Sequence, residues 1–152
     1  MLPLASLFHF GVLTSYMHNA WVHSVCGRLE SRYRYSASVV YNNFPWPALQ
    51  ANNHAAIEVC AQAVLDARAV HANASLADLY DPLTMPANLL KAHNALDKVV
   101  DAAYGYKGAA ADSARVAFLF ERYQQLTSLL PTLEKSKKLP KTKKSHKTNK
   151  TA

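Results

Sequence analysis

Glycine is scarce in this sequence, four in 152 residues, and that scarcity excludes a group of functions before any motif is weighed. Folds that bind dinucleotides or methyl donors need a glycine-rich turn after the first strand, where the backbone approaches the ligand. Gly11, Gly27, Gly105 and Gly108 do not form such a turn. The two cysteines, Cys26 and Cys60, are too few for the framework of a small secreted domain. Both lie in apolar helical patterns, so they are expected as reduced core thiols and not as nucleophiles. Long hydrophobic runs are missing as well: nothing approaches the ~18 apolar residues of a membrane span. The apolar opening, residues 1–13, has no basic stretch and runs into Thr14, Ser15, His18 and Asn19, unlike a signal peptide. The expectation is a soluble cytoplasmic protein with no membrane partner.

Metal and hydrolytic chemistry have little to rest on. Of the seven histidines, His18 and His23 stand five apart, off a common helix face, and no carboxylate or thiol completes a ligand set. No two acids stand at a recognisable nuclease or hydrolase spacing. Neither catalytic nor metal-binding residues are predicted.

Half of the residues are hydrophobic, enough for a real core in one domain or in a small domain with an appendage. The net charge of +7 is unevenly placed. Residues 1–133 hold nine basic and nine acidic side chains, whereas the last 19 hold eight lysines against Glu134 alone, so all of the excess lies at the end of the chain.

Apolar residues recur at helical spacing over residues 12–26, with Leu13, Met17 and Trp21 on one row, and Gly27 is placed to stop that helix. Tyr33, Tyr35, Ala37, Val39 and Tyr41 then alternate with Arg32, Arg34, Ser36 and Ser38, a period of two that predicts a half-buried strand with Tyr33, Tyr35 and Tyr41 toward the core. Asn42-Asn43-Phe44-Pro45-Trp46-Pro47 ends it, because proline removes backbone donors and extends the residue before it. This segment only faintly resembles the Asn-Pro-Pro-aromatic loop of amino-methyltransferases, with the order wrong. A structural exit packed by Phe44 and Trp46 is the preferred reading.

Beyond it the chain reads as helical. Residues 55–71 carry Ile57, Ala61, Val64 and Leu65 on one face, and a short turn at 75–80 closes at Pro82. A helix from Pro86 to about Tyr104 directs Leu89, Leu90, Leu96, Val99 and Val100 inward and stops at Gly105. Asp112 or Ser113 caps a last helix bearing Val116, Leu119, Phe120, Tyr123, Leu126 and Leu130. The three long helices are expected to form a small bundle. From about Glu134 the Lys/Thr/Ser composition predicts disorder.

Two features can bear function. Arg28, Arg32 and Arg34 form an arginine-bearing surface among tyrosines, and on a strand Arg32 and Arg34 point the same way. Guanidinium groups so placed reach phosphates or the acceptor edge of guanine, and the alternative is a solvated face with Glu30 as partner. The tail lysines Lys137, Lys138, Lys141, Lys143 and Lys144 either add salt-sensitive phosphate contacts or form a solvated end without a dedicated role.

Longer segments carry a resemblance. Phe8-His9-Phe10-Gly11-Val12-Leu13-Thr14-Ser15, Val25-Cys26-Gly27-Arg28-Leu29, Tyr33-Arg34-Tyr35-Ser36 and Val40-Tyr41-Asn42-Asn43-Phe44-Pro45-Trp46-Pro47 resemble the closing part of the target-recognition domain in MmeI-like restriction-modification enzymes. Ser75-Leu76-Ala77-Asp78-Leu79-Tyr80-Asp81-Pro82, Val100-Asp101-Ala102-Ala103-Tyr104-Gly105 and Arg115-Val116-Ala117-Phe118-Leu119-Phe120-Glu121-Arg122-Tyr123 resemble the helical domain that ends them. The resemblance implies DNA as partner, S-adenosylmethionine as methyl donor in the parent enzymes, and adenine in a defined site as their target. The nuclease, the methyl-donor loop, the catalytic loop and most of the reader have no counterpart here. No cofactor is therefore expected in this chain, and a methyltransferase portion encoded upstream is an expected partner.

The resulting expectation is a mainly α protein with a short β segment near residues 30–42. Residues 1–47 would end a target-recognition domain, 48–133 would form a C-terminal helical domain, and 134–152 a lysine-rich tail. The alternative is a free-standing helical protein-interaction module with a basic tail.

Overall fold

The computed structural model describes residues 5–48 and 50–128, and its elements are mostly helical. The tail and its lysines, together with Leu130, lie outside the described residues.

The first stretch is two helices where the sequence predicts one. Helix α1 spans Leu7–Thr14 and α2 spans Tyr16–Val25, with Ser15 extended between them at φ −72° and ψ 158°. The buried Ser15 hydroxyl donates to the Val12 carbonyl at 2.6 Å and accepts the His18 N–H at 3.4 Å. One serine thus closes one helix and caps the next. Both helices bury apolar side chains in the same cluster, so the hydrophobic period crosses the break unbroken. Helix α2 ends because Cys26 takes extended backbone; Gly27 is already in the following strand.

The predicted β segment is present but shorter, a strand only over its first residues. Strands β1, Gly27–Leu29, and β2, Arg32–Arg34, form an antiparallel hairpin, and residues Ala37–Tyr41 then close one turn of π-helix. That turn is marked by the Asn42 N–H donating to the Ala37 carbonyl five residues back, at 2.9 Å. The Asn43 amide donates to the carbonyls of Ser38 and Val39, at 2.9 and 3.0 Å, and secures it. Its buried member is Val40, whose carbonyl accepts the Trp21 indole N–H at 3.1 Å. Tyr33 and Tyr35, expected in the core, are exposed, and Tyr41 is half-buried; Val40, Phe44 and Pro45 fill the space instead.

Helix α3 spans Ala51–Ala69, α4 Leu76–Leu79, α5 Ala87–Tyr104 and α6 Asp112–Thr127. Ser75 caps α4, and Gly105, at φ 66°, ends α5 in the left-handed conformation that glycine adopts without strain. The α6 cap is Ala111, one residue before the predicted Asp112. Helix α3 lies along α5, and α1 packs on α3. That last approach requires Gly11: a Cβ there would sit 2.7 Å from Ile57 Cγ2. Ile57, Ala61 and Val64 of α3 meet Leu89, Leu96 and Val100 of α5 in the buried interior, as predicted, whereas Leu65 is half-buried.

The bundle is not the one expected. The principal neighbour of α6 is α2, through Trp21 against Phe120 and Tyr123 at ring separations of 5.1 and 6.2 Å. Only Leu119 and Arg115 of α6 are fully enclosed; Phe120 and Leu126 are exposed, as is Leu90 of α5. Successive helical residues turn by about 100°, so Leu90 points away from the interface that Leu89 fills.

Cys26 and Cys60 are free and half-buried against the core. No helix among the described residues is long and apolar enough to cross a membrane.

Candidate nucleic-acid interface

The hairpin is held to the helices by one of its faces. In its register Arg28 faces Tyr33, while Gly27 faces Arg34 and Leu29 faces Arg32. Directly opposed residues of an antiparallel pair share a face. Arg28 therefore lies opposite to Arg32 and Arg34, which corrects the expectation of a single arginine surface. The Arg28 guanidinium donates to the Tyr33 hydroxyl at 2.8 Å and covers the Tyr33 ring at 4.4 Å. Tyr33 in turn stacks on His23 of α2, at 5.1 Å and 21° between planes. His23 Nδ1 lies 2.9 Å from the Asp112 carboxylate in the first turn of α6. An isolated two-stranded hairpin is marginal in water, and this relay from Arg28 to Asp112 ties it down.

The other face is turned to solvent. The Arg32 and Arg34 side chains are exposed and form neither an ion pair nor a hydrogen bond with any described residue. Glu30, the partner weighed from sequence, pairs with neither; it occupies the tight connection at φ 56°, an uncommon conformation for a residue with a side chain. Leu29, 65% exposed, lies directly across from Arg32 on this face. The pair thus combines two free guanidinium groups with one apolar side chain. Such a set can bind phosphates, donate to the acceptor edge of guanine or touch a thymine methyl.

Behind the hairpin, polar groups that sequence reasoning passed over link its base to the helices. Asp112 is held below the usual carboxylate range by hydrogen bonds from His23 and then Tyr16. Arg115 of α6, 6% exposed, donates to Asp101 of α5 and to the Ala110 carbonyl, both at 2.6 Å, between the rings of Tyr16 and Tyr106. Asp97 of α5 accepts the Tyr16 N–H at 2.7 Å, at the start of α2. These residues are dispersed in sequence, and no local spacing signals that they meet.

A cleft of about 460 Å³ opens beside the hairpin exit, lined by Leu13, His18, Asn19, Val22, Tyr35, Ala37 and Tyr41. His18 is buried against the edge of Phe44, and its Nε2 lies 3.1 Å from the Tyr35 hydroxyl. Burial pushes its pKa down to about 4, so the ring is neutral at pH 7.

The glycines do not provide a methyl-donor site. Gly11 is inside α1, Gly27 in β1, Gly105 at the end of α5, and Gly108 beside the Tyr106 ring; none makes a strand-to-helix turn.

Residues 1–48 match the MmeI target recognition domain, and residues 49–131 match the MmeI C-terminal domain. DNA methyltransferase A of Bacillus subtilis (strain 168) is 42% identical over 123 residues, which cover 81% of this chain and 14% of that protein. A solved structure of the Type IIL restriction-modification enzyme MmeI in complex with DNA is similar at a TM-score of 0.81 and 58% identity. That likeness covers 84% of this chain and 17% of the MmeI chain. The chain therefore spans only a small part of the length of these relatives.

Proposed function

This chain belongs to the MmeI family, and from that membership we propose that it completes a DNA-recognition module, braces it with helices and performs no methyl transfer itself. The carrying observation is the outward pair Arg32 and Arg34, whose side chains have no partner among the described residues, in the stretch that matches a target recognition domain. The relay from Arg28 through Tyr33 and His23 to Asp112 makes the pair a positioned one, because the opposite hairpin face is anchored to both α2 and α6. In this reading Arg32 and Arg34 contact DNA directly, Arg28 acts from behind by holding the hairpin, and the tail lysines add contacts without sequence preference.

The parent activity is site-specific adenine methylation with S-adenosylmethionine, carried by a methyltransferase portion that partners this chain. The whole enzyme would place the hairpin on the duplex and the catalytic loop on the target base.

The test replaces the matching segment of DNA methyltransferase A with this chain and measures DNA affinity by fluorescence anisotropy. Arg34→Ala should weaken binding by about tenfold, within the ~1–3 kcal/mol of a good arginine–base contact. Its melting temperature should not change, since an exposed arginine contributes little stability. Unchanged affinity in both Arg32→Ala and Arg34→Ala would remove this face from the reader.

A further inference from the structure

We infer that the cleft beside the hairpin seats another stretch of the target recognition domain, a protein segment bearing apolar side chains, and is not itself a DNA-binding surface. The inference rests on the assignment of residues 1–48 to that domain and adds to it what covers the cleft.

The first argument is the chemistry of the lining. Leu13, Val22 and Ala37 supply its apolar lining, and the polar members, His18, Asn19, Tyr35 and Tyr41, carry no charge at pH 7. No arginine or lysine among the described residues lines it, so a ligand carrying phosphate would leave its charge uncompensated there. The free cations of this unit, Arg32 and Arg34, stand on the hairpin and do not line the cleft. At about 460 Å³ the space admits several packed apolar side chains.

The second argument is an unfinished polar account. His18 Nδ1 is buried and has no hydrogen-bond partner among the described residues, while Nε2 is engaged with Tyr35. An N–H without a partner is costly in a dry site, so the neutral ring keeps its proton on Nε2 and donates it to Tyr35. The Tyr35 hydroxyl then has its own proton to offer. Tyr35 is 48% exposed and lines the cleft, where a backbone carbonyl of an incoming segment would accept that proton.

The third argument is extent. Only 17% of the MmeI chain is matched, and the 48 residues assigned to the recognition domain supply two three-residue strands with both sheet edges unpaired. Strands of that size rarely stand without further strands or a covering element.

The experiment is hydroxyl-radical footprinting read by mass spectrometry. It compares the full chain alone with a chimera in which the chain replaces the matching 17% of MmeI, each with and without duplex DNA. Oxidation of Tyr35 should fall about fivefold or more in the chimera without DNA, as expected for a water-excluding interface. Leu83, which is exposed far along the chain, serves as the reference. Equal Tyr35 oxidation in chain and chimera overturns the inference. So does protection that arises only when DNA is added, which would make the cleft part of the DNA face. The same reading in a chimera built on DNA methyltransferase A supplies a second host. Loss of DNA binding in Arg34→Ala is scored separately, so the proposed reader and the proposed seat can fail independently.

Discussion

The Tyr16 backbone N–H donates to the Asp97 carboxylate at 2.7 Å across 81 residues, so a side chain of α5 caps the start of α2. Tyr16 lies in the stretch that matches the target recognition domain, and Asp97 in the stretch that matches the C-terminal domain. The two family units are therefore joined by a helix cap as well as by apolar packing.

Asp97 bears this bond at a cost that depends on pH. Burial, the largest influence, raises its pKa, and the Tyr16 N–H opposes that in part. A carboxyl whose folded pKa exceeds its unfolded value favours the native state when protonated, and stability declines as pH rises from the unfolded through the folded pKa. Asp97→Asn keeps an acceptor for Tyr16 without the charge. Its stability relative to the unsubstituted chain should therefore improve between pH 3 and pH 7 in urea titrations. Asp97→Ala should cost about 1 kcal/mol at pH 7 through loss of the cap.

His18 works in the opposite sense. Its pKa falls from 6.5 to about 4 on burial, so the unfolded chain binds the proton more tightly. Stability is fully present above pH 6.5 and declines as pH falls toward 4, by about 3 kcal/mol at pH 4. Denaturation of the unsubstituted chain at pH 7 and pH 4 should reveal that loss, and His18→Gln should flatten it. An equal pH 7 to pH 4 change in both proteins would mean that another group drives the acid sensitivity.

Gly11→Ala poses two opposed effects on one residue. Alanine favours a helix interior by about 1 kcal/mol, but its methyl would lie 2.7 Å from Ile57 Cγ2 and 3.2 Å from Ala61 Cβ. Overpacking of a filled core costs about 1–3 kcal/mol, so a net loss is expected, with a melting temperature a few degrees lower. A stabilised Gly11→Ala protein would show that α1 can withdraw from α3 without penalty.

The lysine-rich end gives a prediction from charge alone. Residues 134–152 carry the entire excess charge, so DNA binding by this chain alone should be weak, insensitive to sequence and steeply dependent on salt. Removing residues 134–152 should abolish it. Binding that survives the deletion at the same salt slope would place the affinity in the folded part.

The sequence by itself determined the helical character after Pro47, the end of α5 at Gly105, and the enclosed row of Ile57, Ala61 and Val64. It also determined family membership, through long ordered segments and not through any one motif. These features are local or repeat at the helical period, and local periodicity is what a linear sequence displays.

Only the tertiary structure decided where α1 gives way to α2, that the alternating tyrosine segment forms a hairpin and a π-turn, and which arginines share a face. Ser15 breaks the helix through its own hydroxyl while the apolar rows on either side face one core, so periodicity could not locate the break. Alternation over 33–41 predicts a strand, yet the turn at Glu30 comes early enough to spend only Arg32–Arg34 in pairing. Val40 is then drawn inward by the Trp21 bond to its carbonyl, which a period of two cannot encode. Arg28 was separated from Arg32 and Arg34 by pairing register, and Arg115 was enclosed by Asp101 of α5, Tyr16 of α2 and Tyr106 of the loop after α5. The inward turn of Val40 and the enclosure of Arg115 depend on partners distant in sequence, and the helix break and the hairpin on specific hydrogen bonds that a hydrophobic period does not display.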